Sequence, residues 1–300
     1  MAMKSKTREP CLSVIIPTYN RPEKLIRCLK SVFNSTYKNI EVIVINDYPK
    51  SNLKPLLNEF KICLIQHKKE QYLIKSRNEG AELAKGKMLF FLDDDNIINR
   101  TSIKSLVSKY LKTKNIGLLG PLMYNSFGDL WFYGGTATWI NPNLKPVPKS
   151  ELKHDLIETD GIPNAYLVSK KLYTKIGGED PNLPTHSEPD LAQRFKRVGY
   201  KNYIYPKATI MHDIGKKNIN LIDRPPYRTY ITVKCNFFLE KRYAPKLKFL
   251  LFLFGFVPVH MILYLLYYIP FKANNKREYY RAYLKGLKEG LSIKANKLVK

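Results

Sequence analysis

Residues 88–92 read Met-Leu-Phe-Phe-Leu and run straight into Asp93, Asp94 and Asp95. Five apolar residues bounded by charge are too few for a solitary helix and predict a strand buried on both faces. Three carboxylates at the end of such a strand, with no basic residue among them, repel one another. A bound divalent cation would remove that cost. The plainer alternative is a solvated acidic turn ahead of a helix that begins near Thr101.

The surrounding pattern decides between them. Residues 12–17 form a β-branched run ended by Pro17, and Pro22 suits the first position of a helix with apolar residues at 25, 26, 29, 32 and 33. A second strand is predicted over 40–45, a short helix over 53–60 and a third strand over 62–65. A helix over 72–84 then carries Arg77 and Asn78. Alternation of this kind predicts a parallel α/β sheet with ligand sites at the carboxyl ends of the strands. Polar groups fall at those ends: Thr18 to Arg21 (with Asn20 in the turn), Asn46 with Asp47, and the three aspartates. No G-x-G-x-x-G loop is present, so phosphate charge calls for a metal and for Arg21 or Arg77.

In order and spacing, residues 13–21, 42–47, 77–78 and 90–95 resemble the nucleotide-binding half of a family 2 glycosyltransferase, an inverting enzyme with the Rossmann-like GT-A fold. Rhamnosyltransferase-like members are the nearest in character. The resemblance implies that Thr18 and Asp47 lie at base and ribose. It makes Asp93 and Asp95 the D-x-D pair, with Asp95 the direct ligand of Mg²⁺ or Mn²⁺. Asn20, Arg21, Arg77 and Asp94 join the nucleotide-sugar set. Asn46 replaces one acid of the usual pair after the second strand.

The resemblance continues through most of the first 240 residues: a nucleotide-sugar half over 1–120 and an acceptor half over 121–240. A helix near 102–111, a strand over 116–119 and a hairpin over 121–139 are predicted, with Trp131 and Trp139 expected in the core in preference to stacking on a sugar or lipid. Glu179 stands where the family usually has an aromatic, and Asp180 is read as structural. Residues 186–191 open a helix whose acids suit its N-terminal dipole. Aligned with the family's Glu-Asp-x-Asp-Leu pattern, Glu188 occupies the catalytic base position, with Asp190 as the fallback. Arg194 lies one turn on, to reach the diphosphate or pair with Asp190. His212, at the end of a last strand, matches a position that completes the metal site with Asp93 and Asp95.

Lys and Arg total 51 against 25 acids, a net charge of +26, of which residues 241–300 hold +11 (13 basic, 2 acidic). Such a tail suits anionic lipid or nucleic acid. Residues 249–271 form an uncharged apolar run of 23 residues, long enough as a helix to cross about 30 Å of hydrocarbon. Basic flanks on both sides, with Gly255 and Pro258 dividing the run, favour a re-entrant hairpin over a single span. Residues after 275 predict a basic amphipathic helix on the headgroups. The expected location is the cell membrane, with the catalytic domain on its cytoplasmic side and residues 241–300 as the anchor. No secretory h-region appears at the start, and the four cysteines fit reduced core positions.

The reaction expected is sugar transfer from a nucleoside-diphosphate sugar to a polyprenyl-linked or glycan acceptor. A membrane-tethered nucleotidyltransferase is the enzymatic rival, disfavoured by the missing glycine loop. A basic nucleic-acid binder is the other, without a recognisable RNA or DNA motif and so not the expected partner class.

Overall fold

The computed structural model describes residues 9–183, 187–215, 226–263 and 276–293. Strands β1 (Leu12–Thr18), β2 (Ile40–Asn46), β3 (Cys63–Gln66) and β4 (Met88–Leu92) run parallel in the order β3-β2-β1-β4. Helix α1 (Pro22–Phe33) crosses from β1 to β2, and α2 (Tyr72–Leu83) from β3 to β4. Every residue of β1 is buried, because the two-residue period sends alternate side chains into two separate cores. Leu12, Val14 and Ile16 pack with Leu25, Leu29 and Val32 of α1, whereas Ile15 packs with Ala81 and Ala84 on the α2 side. Each such aliphatic side chain contributes about 1.5–3 kcal/mol by burial. Helix α2 lies close enough to the sheet that a Cβ on Gly80 would sit 2.5 Å from Ile15 Cγ2.

The chain continues through β5 (Asn96–Ile98), α3 (Ser102–Lys112), β6 (Ile116–Asn125) and β7 (Leu130–Phe132). A small ribbon of β8 (Gly135–Thr136) and β9 (Lys145–Pro146) follows, then β10 (Ile157–Glu158), β11 (Ala165–Ser169) and α4 (Lys170–Lys175). Helix α5 (Ser187–Arg197) and the long β12 (Lys201–His212) complete this part. The main sheet runs β10-β12-β6-β11-β4-β1-β2-β3. It is mixed and not parallel throughout, since β11 runs antiparallel to both β4 and β6. That reversal brings Asn164, just before β11, beside the aspartates after β4.

Four local expectations change. The helix predicted over 53–60 is one 3₁₀ turn, Pro55–Leu57. The strand predicted over 116–119 extends to Asn125, so the hairpin is formed by β6 with β7. Cys28 and Cys235 are buried, but Cys63 is exposed on the edge strand β3. Trp131 is half exposed, not core.

Helix α6 (Pro226–Tyr243) passes through residue 240 without a break, so the boundary expected there falls inside a helix. Arg242 pairs with Asp180 (2.9 Å) and Asp190 (3.0 Å), and the Tyr243 hydroxyl donates to Asp190 (2.6 Å). The end of α6 is thereby fastened to α5. Only Ala244 and Pro245 separate it from α7 (Lys246–Leu251), a π-helical turn at Phe252–Phe256 and α8 (Val257–Leu263). Helix α9 (Lys276–Ser292) returns to lie on α6. Gly286 and Gly290 permit the approach, since a Cβ on Gly290 would lie 2.5 Å from the Lys234 carbonyl oxygen. Among the described residues one helical stretch, Lys246–Leu263, is long and apolar enough to cross a membrane. The second half of the 249–271 run lies outside the described residues, apart from its start.

Candidate active site

The strand period explains where the three aspartates go. Asp93 continues the Leu89–Phe91 face and turns toward α2, where its carboxylate accepts from Arg77 (2.6 Å) and Asn164 (2.9 Å). Asp94 points the opposite way, accepting from the Thr18 hydroxyl (2.6 Å) and pairing with Arg21 (2.5 Å). Asp95 pairs with Arg21 (2.8 Å) and lies 3.5 Å from His212 Nε2. Burial pushes Asp94 up to about 7 against the pull of Arg21 and Thr18. Burial also raises Asp95, but the His212 hydrogen bond and the Arg21 charge more than offset it and leave Asp95 below the ordinary carboxylate range.

Arg77 is fully buried and bridges three acids. Besides Asp93 it reaches Glu179 at 3.1 Å and Glu188 at 2.8 Å. Burial alone would lower its affinity for the proton, yet Glu179, Asp93 and Glu188 raise it well above normal, so the guanidinium stays charged. The neighbouring Asn78 explains why Arg77 and Asn78 occur together. Its amide donates to the Glu179 carbonyl (2.9 Å) and accepts from the Glu179 N–H (3.0 Å), fixing the turn that aims Glu179 at Arg77. That turn carries Gly177 and Gly178 at φ of 83° and 68°, a region open to glycine. The Tyr166 hydroxyl closes the network on Glu179.

Thr18, Arg21, Asp94, Asp95 and His212 form one contact network after β4, and Arg77, Asp93 and Glu188 form a second beside it, and the two border one crevice. Asn20 shapes its entrance from the left-handed region (φ 54°), which asparagine tolerates. Asp47 lies nearby, but both its oxygens are used, accepting from the Gln71 and Tyr72 N–H groups and from His67 (each 2.7 Å). It holds the start of α2. Asp190 and Arg194 do not reach the crevice. Asp190 is fully buried against Arg194 (2.8 Å), Arg242 and Tyr243, and Arg194 donates its remaining bond to the Ile176 carbonyl. Their helical positions point into the core beneath α6. Asp180 serves there too, as expected.

Two residues of the crevice, Asn164 and Glu179, were not nominated for it from sequence, and a third, Trp131, was expected in the core. Asn164 had no signal beyond its place before a strand. Glu179 was visible only as an acid where the family has an aromatic. Trp131 stands 5.6 Å from His212 in an edge arrangement at the rim. On the other side, Tyr19 is 44% exposed, its ring 5.1 Å from Tyr48 and roughly perpendicular to it.

The residues present can accept a divalent cation with part of its shell supplied by ligand. Asp95 Oδ1 faces His212 Nε2 at 3.5 Å, and carboxylate with imidazole is a suitable donor pair for Mn²⁺ or Mg²⁺. Asp93 is not part of that pair, because Arg77 and Asn164 hold it. Accordingly, among the described residues no three His, Cys, Asp or Glu side chains converge on one point.

A mixed α/β sheet of this order, with acids and arginines at the strand ends, is the GT-A fold. The description "Glycosyl transferase family 2" matches residues 13–170, and the chain belongs to that family. An uncharacterized glycosyltransferase of Haemophilus influenzae is 26% identical over 176 residues, covering 56% of this chain and 55% of its own. Glycosyltransferase GlyG of Streptococcus pneumoniae is 25% identical over 130 residues, covering 41% and 43% respectively. The chain thus spans about half the length of these curated relatives. Among solved structures, the mannosyltransferase PcManGT of Pyrobaculum calidifontis, in complex with GDP-Man and Mn²⁺, superposes with a TM-score of 0.59 at 14% identity, over 94% of this chain and 74% of its own. GalNAc-T7 with UDP, GalNAc and Mn²⁺ gives 0.64 at 18% identity, over 81% and 49%. Those likenesses concern the fold.

Proposed function

We propose that this protein transfers a sugar from a nucleoside-diphosphate sugar to a hydroxyl of a membrane-linked acceptor, with inversion at the anomeric carbon. The observation that carries the reading is Arg77, whose one guanidinium touches both Asp93 and Glu188. An acid at the donor end of the sheet and the candidate base on α5 are thereby held at a fixed separation. Charge-assisted bonds of this kind are short and geometrically exacting.

Glu188 takes the acceptor hydroxyl proton as the oxygen attacks the anomeric carbon. The bond from that carbon to the diphosphate breaks, and its electron pair leaves with the nucleoside diphosphate. Arg21 lies where it stabilises the departing charge. Asp93 and Asn164 orient the sugar, and the exposed Tyr19 offers a face for the base. A Mg²⁺ or Mn²⁺ ion held by Asp95 and His212 would neutralise charge on the diphosphate when bound.

For the tail, α9, which follows the apolar run in sequence, packs on α6, which precedes it, and this supports the hairpin over a single crossing. Leu247 and Phe254 are at least 70% exposed, an apolar face suited to lipid. We place the start of the anchor after Tyr243, on a cytoplasmic membrane face.

A thermal-shift panel of nucleoside diphosphates, with and without Mn²⁺, tests the site. Stabilisation by at least one of them that needs the metal is expected, and it should vanish in Asp95→Ala. Indifference to every nucleotide would sink the reading.

A further inference from the structure

Two arginines from distant parts of the chain tie together the same two segments. The turn after α4 carries Glu179 and Asp180 side by side, and the start of α5 carries Glu188 and Asp190. Arg77 reaches the first acid of each pair, Glu179 at 3.1 Å and Glu188 at 2.8 Å. Arg242, at the end of α6, reaches the second acid of each, Asp180 at 2.9 Å and Asp190 at 3.0 Å. Positions two apart on a helix face about 200° away from each other. Glu188 and Asp190 therefore take different partners, and the base-bearing end of α5 is held on both sides.

The contacts of the second tie are as complete as those of the first. The Arg242 side chain is 4% exposed, and Asp190 is fully buried. Asp190 Oδ1 pairs with Arg242 and accepts from the Tyr243 hydroxyl (2.6 Å), while Oδ2 takes Arg194 (2.8 Å). Asp180 Oδ1 accepts from the Asn182 N–H and side-chain amide (each 3.0 Å), and Oδ2 takes Arg242. Farther along α5, Arg197 donates to the Arg242 carbonyl (2.7 Å). The Arg242 guanidinium also lies 5.3 Å from the Phe238 ring, which packs with Leu183 beyond the turn. Its Nη1 serves both carboxylates and so fixes their separation. Lysine, a point charge on a flexible stem, does not supply the same constraint.

We infer that Arg242 is a positioning residue for the candidate base. By holding the start of α5 against the turn at 178–180, it keeps Glu188 on the Arg77 guanidinium and aimed at the acceptor hydroxyl. The inference rests on the transferase reading and adds to it. The end of α6, past the boundary expected at residue 240, becomes a working part of the active site. A misplacement of about 1 Å can cost about a hundredfold in rate. Donor binding depends on the ends of β1 and β4 and does not share that sensitivity.

The test uses the full chain in detergent with Mn²⁺ and a panel of donors: UDP-glucose, UDP-N-acetylglucosamine, GDP-mannose and dTDP-rhamnose. Release of nucleoside diphosphate is read with water as acceptor, its proton going to Glu188 as its oxygen attacks the anomeric carbon. Arg242→Gln should lower kcat about tenfold to a hundredfold, with the donor KM within about twofold of the parent. Arg242→Lys should recover part of the loss, and Tyr243→Phe, which removes one bond to Asp190, should cost less than Arg242→Gln. In a Glu188→Gln background, Arg242→Gln should cost nothing further, because it acts through that carboxylate; a role confined to folding lowers both backgrounds alike. Hydrogen exchange read by mass spectrometry should quicken over residues 188–197 in Arg242→Gln and stay unchanged over 88–98. An unchanged kcat, or additive losses in the double variant, overturns the positioning role. Unchanged exchange over α5 overturns the clamp itself. A parent protein that releases nucleoside diphosphate from no donor and is stabilised by none breaks the transferase reading instead, and the exchange result then still reports whether Arg242 holds α5.

Discussion

On the strand-end wall of the crevice every acid has a cationic partner. Asp93 has Arg77, with Asn164 beside it, Asp94 has Arg21 and Thr18, and Asp95 has Arg21 with His212 alongside. On α6, Glu240 is 2% exposed, and its Oε2 has no hydrogen-bond partner among the described residues. The first wall is balanced by arginine in direct contact. On the second, burial raises the Glu240 carboxyl while the Lys248 charge pulls the other way. Equal burial therefore leaves acids in different states, according to the cation each one meets.

The largest contrast is expected at the candidate base. Glu188→Gln should lower transfer about 10²–10⁴-fold, while nucleoside-diphosphate stabilisation in a thermal-shift assay persists. Retention of full turnover would move the base elsewhere. Arg77→Met strikes the balanced wall itself. It strands Asp93, Glu179 and Glu188 around an apolar side chain, and loss of one partner of a buried pair costs about 3–5 kcal/mol. A urea midpoint close to that of the parent would show that the three acids do not depend on it.

The unmatched wall should show itself in pH. An unfolded chain ionises Glu240 near 4.5, the folded one only at about 7. Below that interval the group contributes nothing. Across it the unfolded state gives up its proton first, so stability falls as pH rises, by up to about 3 kcal/mol. Urea titrations at several pH values should show a decline from about pH 5 to 7 that Glu240→Gln flattens. Equal slopes in the two proteins would mean that solvent reaches the carboxylate.

Two smaller effects probe the scaffold behind the donor wall. Gly80→Ala drives a methyl into Ile15 and should cost about 1–3 kcal/mol by overpacking, read as a lowered Tm. Asp47→Ala frees the start of α2 and should cost about 1 kcal/mol. No loss in urea unfolding would show that water replaces that cap.

How much of this was legible depended on range. Strands β1, β2 and β4 and helix α2 announced themselves through local period and placed Asp47, Arg77 and the aspartates at strand and helix ends. The direction of β11 was not legible, because an antiparallel and a parallel strand have the same composition. Nor were the partners that define each acid: Arg77 meets Glu179 across 102 positions and Glu188 across 111. Sequence nominated Asp190 over Glu179 for the crevice because both are acids in suitable motifs. Only the packing of α6 onto α5 assigns Asp190 to the core. Glu240 gave no signal at all, being one acid among the aromatics of a helix.

The joint of Ala244 and Pro245 after α6 has a consequence for reach. With Arg242 and Tyr243 bolted to α5 and so little slack before the apolar helices, the catalytic mouth cannot swing outward on a tether. Whatever surface receives Leu247 and Phe254 sets its altitude. Under the membrane anchoring proposed above, acceptors whose tips rise above that level would pass out of range, and the joint would act as a ruler on how far from the bilayer a sugar can be added.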